Sequence, residues 1–178
     1  MSSAAAAGAP PPASPKGEPG PADSTAEELR NLAAVREYME VAYDPARASA
    51  AAVQHLVAPD SRFIAPTTFP EIKDCLQYAQ DHGELMKSVS DLRITSFDVQ
   101  FAKGSWVCLR YSAEGSHSGA PHKGIPATHK RARWSAAAIF ELTPDGKSST
   151  IKTFWKDWDK LSMWSQLGWL PGEAPALE

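Results

Sequence analysis

From Leu29 onwards apolar residues recur at three- and four-residue steps, through Leu32, Val35, Tyr38, Met39 and Ala42, a spacing that lays one apolar stripe along a helix. Ser24 with Glu27 fits the S-x-x-E capping box at its start, and Asp44-Pro45 interrupts the pattern at its end. A second, shorter helix is predicted from about Ala48 to Val57, stopped by Ala58-Pro59-Asp60. After a brief extended piece, Arg62 to Ala65, a third helix spans about Glu71 to Lys87 and offers Ile72, Leu76, Ala79, Leu85 and Met86 to a core. Gly83 inside it weakens the last turn.

The period then changes to two. Leu92 to Phe101, Ser105 to Gly115, Ala132 to Leu142 and Ser149 to Asp157 read as four strands rich in Val, Ile, Phe, Tyr and Trp. Lys103-Gly104 joins the first pair tightly, and Thr143-Pro144-Asp145-Gly146 is a turn in which proline presets φ and glycine supplies a positive one. A longer loop, Ser116 to Lys130, separates the second and third strands. Helices followed by antiparallel strands predict an α+β domain whose helices cover one face of the sheet.

Composition narrows the picture. Ser2 to Asp23 is Ala, Pro, Gly and Ser with almost nothing to bury, so residues 1–23 are expected to be a disordered tail, 24–170 one domain and 171–178 a flexible C-terminus. Pro10-Pro11-Pro12 lacks the flanking basic residues of a Pro-rich ligand motif. The net charge of −3 offers no field to draw in nucleic acid, and no run approaches the roughly 20 apolar residues of a membrane span. The start has no basic n-region or leucine-rich h-region, so a cytoplasmic protein is expected. Cys75 and Cys108 form no metal or redox motif and point to free thiols in a reducing compartment. Six tryptophans exceed what packing alone usually needs and suggest a cavity wall or an interface.

The loop after the second strand carries the most specific pattern. Glu114-Gly115-Ser116-His117-Ser118-Gly119, then Gly124-Ile125-Pro126-Ala127-Thr128-His129-Lys130, resembles the G-[ST]-H-x-G…G-I-P-P-T-G-[KR] signature of SnoaL-like polyketide cyclases in the NTF2-like superfamily. Ile151-Lys152-Thr153-Phe154-Trp155 with Asp159 resembles the family's I-x-E-x-W-x-x-x-D, and Gln166-Leu167-Gly168 matches its Q-L-G. The match covers roughly Val35 to Gly168. The chain departs from the pattern at Thr153 (family Glu), Ala127 (second Pro) and His129 (Gly). The resemblance implies a cone, with helices packed into the concavity of a strongly curved antiparallel sheet, an enclosed pocket between them, and frequent dimers.

In an unbroken strand Ile151, Thr153, Trp155, Asp157 and Asp159 share one face and Lys152, Phe154, Lys156 and Trp158 the other. The lysines mark the second face as the wetter, which leaves Phe154 and Trp158 against something such as a partner subunit. The first face then lines the cone and places a carboxylate in a dry cavity, where burial raises its pKa towards neutrality. The resemblance assigns that acid/base role to Asp159 and a donor or orienting role to His117. It implies cofactor-free aldol-type ring closure on a small apolar, polyketide- or terpenoid-like ligand. Trp155, Thr153, Ile151, Tyr111 and His129 complete the expected ligand-contacting set.

Each assignment has a plainer alternative. Asp159 suits the N-cap of a closing helix, and His117 a loop histidine bonded to a carbonyl. Trp164 and Trp169 suit packing, and His122 a solvated or rim position. His129-Lys130-Arg131-Ala132-Arg133 suits a solvated strand entrance, with Lys130 or Arg133 able to steer an acidic substrate. No metal-ligand spacing is present, and neither cysteine has a histidine placed to activate it. A non-catalytic small-molecule-binding or dimerisation module on the same cone is the competing function.

Overall fold

Thr25 rather than Ser24 caps the first helix in the computed structural model, which describes residues 24–144 and 148–170. Both candidates have a glutamate three residues on. The Thr25–Glu28 pair prevails because the Glu28 carboxylate closes the capping box and also accepts the Gly104 amide at 3.0 Å, so the helix start is tied to a distant strand turn. Helix α1 runs Ala26–Ala42 and buries Val35, Tyr38 and Met39 completely, each contributing about 1.5–3 kcal/mol of apolar transfer. Leu29, expected in the stripe, lies on the outside. The expected tail, the flexible C-terminus and the Asp145-Gly146 half of the predicted turn lie outside the described residues.

The second helix is shorter than its sequence suggests. Helix α2 covers Ala50–Val53, one 3₁₀ turn follows over Gln54–Leu56, and strand β1, Val57–Ile64, starts where the helix was expected to end. Pro59 is tolerated because β1 is an edge strand. Helix α3, Cys75–Met86, starts at an Asp74 cap four residues later than predicted. Gly83 lets α3 approach Ala48, whose carbonyl would collide with a Cβ there.

The four predicted strands are present as β2 (Arg93–Lys103), β3 (Trp106–Ser116), β4 (Arg131–Leu142) and β5 (Ile151–Trp158). With β1 they form one mixed sheet, in the order β1-β5-β4-β3-β2, with β1 parallel to β5 and the other pairs antiparallel. The parallel pairing is the difference from the all-antiparallel expectation. Register shifts in β2 near Ile94 and Phe97 bend the sheet. The α1 and α3 helices cover an inner face of Leu109, Tyr111, Ala138, Phe140 and Phe154. Helix α4, Lys160–Leu167, closes the cone. None of the helices described is long and apolar enough to cross a membrane.

One irregularity decides which way β5 faces. Leu142 pairs with Ile151 and Glu141 with Thr153, so Lys152 is an extra, bulged residue and the alternation inverts there. Ile151 joins the core, but Thr153, Trp155 and Asp157 then point to the convex side. Phe154, Lys156 and Trp158 point to the helices. The face expected to be wet is the inner one, and the lysine that marked it is only 3% exposed.

Candidate functional site

A cavity of about 350 Å³ opens at the end of the cone where β5 runs into α4. Its walls are the loop after β1 (Thr68, Phe69, Glu71, Ile72), the inner side of α3 (Tyr78, His82, Leu85), the tip of the β3–β4 loop (Pro121, His122, Lys123), and Trp158, Met163, Trp164 and Trp169. Aromatic contacts set the shape. Phe69 stacks on Trp158 with centroids 5.7 Å apart, His122 stacks on Trp169 at 3.8 Å, and Trp164 meets Trp169 edge-on. Trp164 and Trp169, which the sequence leaves to packing, are therefore cavity walls. Of the two positions expected for His122, solvated or rim, it takes one in the cavity wall, held by that stack and by its backbone pairing with Ile125.

Three buried side-chain polar atoms among the described residues have no hydrogen-bond partner: Thr68 Oγ1, His122 Nε2 and Trp158 Nε1. All three belong to cavity-lining residues. The His122 pKa is lowered by burial and then by the nearby charges of Lys123 and Lys160. At the mouth, Lys160 donates to Thr68 O at 2.9 Å and lies over the Trp164 ring, as Lys123 does, with Glu71, Asp81 and Glu84 as the acidic residues of the lining.

Beneath the cavity runs a buried polar chain. His82 Nδ1 donates to Ala42 O at 2.7 Å, and burial, then the charge of Lys156, pushes its pKa down to about 3, so the neutral ring presents Nε2 as an acceptor. Lys156 Nζ lies 2.6 Å from the Tyr78 hydroxyl and 3.0 Å from that of Tyr43, which pairs with the Tyr111 hydroxyl at 2.9 Å. Tyr111, expected to touch ligand, is a fully buried member of this chain.

The signature residues lock the loop. His117, fully buried, receives the Thr128 amide at 3.2 Å and the Trp169 indole N–H at 2.9 Å on Nδ1, and its Nε2 donates to Ala120 O at 3.2 Å. Two donors on one nitrogen set the Nε2–H tautomer. Thr128 Oγ1 donates to Leu167 O at 2.7 Å, and Gln166 both accepts from Arg133 N and donates to Arg133 O. Gln166 thus continues the backbone pairing of β4 beyond the end of β5. Gly115 and Gly119 sit where a Cβ would collide with Val89 and with the Lys87 carbonyl. Gly168 ends α4 at φ 73°, against Lys130.

None of the seven residues expected to carry the site lines the cavity. Asp159 is exposed and caps α4, its carboxylate accepting the Ser162 amide at 3.0 Å. Trp155 stacks on Trp106 on the convex face, 5.6 Å between centroids. Thr153 is buried and donates to Glu141 at 2.9 Å, while Ile151 is core. His129 is exposed at φ 57°, held by its amide to His117 O. Asp159 and His117 are not brought together on a shared space. The basic stretch is not freely solvated: Arg131 and Arg133, with Arg93, converge on Glu114, which is 2% exposed and whose carboxyl these guanidiniums hold below its ordinary pKa. Burial pushes the Cys75 thiol up to about 12, which makes it inert at neutral pH.

No curated protein matches the chain. Solved structures do: IdmH from Streptomyces antibioticus, a candidate polyketide cyclase, is 19% identical with a TM-score of 0.65, covering 78% of this chain and 99% of that one. A SnoaL-like protein from Jannaschia sp. CCS1 is 16% identical with a TM-score of 0.67, over 84% and 99% of the two chains. An LEH-like epoxide hydrolase from M. tuberculosis is 16% identical with a TM-score of 0.56, over 79% and 91%. At these identities the likeness is one of fold. The profile of the SnoaL-like polyketide cyclases matches residues 33–167, which include every element from the body of α1 to the end of α4, and the chain belongs to that family.

Proposed function

We propose that this protein binds a small, flat, largely apolar molecule with a hydrogen-bonding edge in the cavity at the mouth of the cone. The observation that carries the reading is the clustering of unpartnered polar atoms: Thr68 Oγ1, His122 Nε2 and Trp158 Nε1 all come from the walls of one cavity. A buried donor or acceptor left unsatisfied costs about 1–3 kcal/mol, so three on residues that wall one space are groups that a small side-chain movement would offer to a bound molecule. The stacked rings of Phe69, Trp158, His122 and Trp169 favour a planar body. A polycyclic polyketide fragment or a terpenoid meets both requirements, and the volume lies at the small end of ordinary ligand sites.

Between a carboxylate-driven cyclase and a binding module on the same cone, the geometry favours binding. Asp159 is exposed and caps α4. The test is titration of naphthol and related flat phenols, followed by quenching of tryptophan fluorescence, against wild type, Thr68→Val and Trp158→Phe. Saturable binding weakened up to about tenfold by either substitution is expected, since one lost hydrogen bond is worth about 1 kcal/mol. Equal affinity in all three proteins would falsify the assignment.

A homodimer belongs to the same proposal. Phe101, Cys108, Ile139 and Trp155 are register partners in one row across four strands of the convex face, flanked by Trp106, and Phe101, Trp106 and Ile139 are each more than 40% exposed. In the adjoining row Arg110 and Asp157 flank Ala137. A two-fold axis along β4 would set each guanidinium against the other copy's carboxylate, with Ile139 packing on itself.

A further inference from the structure

Two lysines share one indole at the mouth of the cavity. Lys160 Nζ lies 4.8 Å and Lys123 Nζ 5.1 Å from the centroid of the Trp164 ring, and all three residues line the space. Lys160 is half-buried and gives one N–H to Thr68 O at 2.9 Å, which leaves its other donors for a ligand. Neither ammonium has a carboxylate within ion-pair distance among the described residues. Of the acidic groups in the lining, Glu84 is paired with Lys87 and Asp81 accepts from Gln77. Burial and then the Lys123 charge lower the Lys160 pKa, with Glu71 acting the other way, so the two cations feel each other. Neither Lys130 nor Arg133, from which the steering of an acidic substrate was expected, lines this cavity.

The backbone under Lys123 is the second observation. His122 and Ile125 exchange both backbone bonds, at 3.0 and 2.9 Å, around a two-residue turn in which Lys123 has φ 47° and Gly124 φ 84°. A tight turn with positive φ at both central positions is the kind that Asn-Gly fits. Lysine brings a Cβ that the left-handed region resists and no side-chain oxygen to bond the turn. Stability alone therefore does not account for a lysine here, and residues held in such conformations gather at ligand sites.

We propose that the cavity prefers a flat ligand carrying a carboxylate, whose oxygens take up the ammoniums of Lys160 and Lys123 beside the Trp164 ring. The proposal rests on the reading that the cavity binds a flat molecule, and adds the charge of that molecule. A carboxylate is planar, extends an aromatic ring without thickening it, and has an oxygen for each ammonium. Bound there, it offsets the repulsion between the two lysines.

The test titrates the full-length protein at neutral pH with naphthoate and with its uncharged counterpart of the same shape, naphthamide, each followed by quenching of tryptophan fluorescence. Naphthoate is expected to bind about fivefold more tightly at low ionic strength, from two partly exposed ion pairs, and the advantage should shrink in high salt. Lys160→Gln and Lys123→Asn should each cut it to about twofold, with naphthamide affinity held within about twofold of wild type. Glu71→Gln should widen it. Lys123→Asn should also raise the midpoint of thermal unfolding by about 2 °C, because the turn gains its favoured residue. A midpoint that falls instead marks the lysine as structural and overturns its part in the site. Equal affinity for the acid and the amide, or an advantage that neither lysine variant reduces, overturns the carboxylate and leaves the cavity reading intact. Failure of both probes to bind overturns the two together.

Discussion

Replacing His117 by Phe removes the acceptor for two buried donors, the Thr128 amide and the Trp169 indole N–H, and the donor to Ala120 O. An unsatisfied buried donor costs about 1–3 kcal/mol. With partial relaxation of the loop, the two together should lower stability by about 2–5 kcal/mol, a large share of the total for a domain of this size. His117→Gln keeps one oxygen acceptor and should recover about half. Urea unfolding at neutral pH, read by circular dichroism with the slope of the transition held constant, measures both. A loss below about 1 kcal/mol for Phe would refute the hub. If His117 instead served as a proton donor to ligand, stability would stay near wild type and only ligand processing would suffer.

Three further outcomes follow from the same geometry. The folded pKa of His82, about 3 against an ordinary 6.5, means that both states are neutral above pH 6.5, whereas below it the unfolded chain takes a proton the folded one refuses. Stability should therefore fall with acidification from pH 6.5 towards 3, by about 2 kcal/mol between 6.5 and 5, with His122 adding in the same direction. His82→Gln should flatten that part of the urea-midpoint profile, and an unchanged slope would count against the burial argument. Asp159→Asn, which still caps α4, should leave flat-phenol binding and stability within about 0.5 kcal/mol of wild type, while Asp159→Ala should cost about 1 kcal/mol in thermal unfolding. Loss of binding in the Asn variant would return the carboxylate to the site. Ile139→Glu should convert the dimer to monomer in analytical ultracentrifugation, and a wild type that sediments as a monomer at high concentration would dispose of the convex-face interface.

Much of the fold was legible because the strands obey a simple alternation. The stretch Ala132 to Leu142 places every even-numbered residue inside, as the period demands. The misreadings have local causes. Ser24 and Thr25 both offer a capping box, and only the contact of Glu28 with Gly104, 76 residues away, chooses between them. Pro59 reads as a helix breaker and is also allowed at a sheet edge, so the first half of β1 reads as the break after a helix and only its end, from Arg62, as extended. The site was less legible still. A single bulge at Lys152 inverts the faces of β5, and nothing in Ile151-Lys152-Thr153 announces it. Lys156 reads as a solvent marker because lysine is rarely buried, and the signals that could have placed it inside, the flanking Phe154 and Trp158, were assigned to an interface. The family pattern contains His117, Gly119, Thr128 and Gln166, and implies a ligand-directed role for His117. It did not reveal that here their contacts join the β3–β4 loop to the end of α4.

The most direct measurement is a crystal structure of the protein soaked with a bromonaphthol, in which the anomalous signal locates the bromine without reference to the protein. The account predicts the bromine and its ring between Phe69, Trp158, Trp164 and Trp169, with the phenol oxygen about 3 Å from Trp158 Nε1. Bromine only on the convex sheet face, or a ring lying against Asp159 with the cavity closed by side chains, would contradict it.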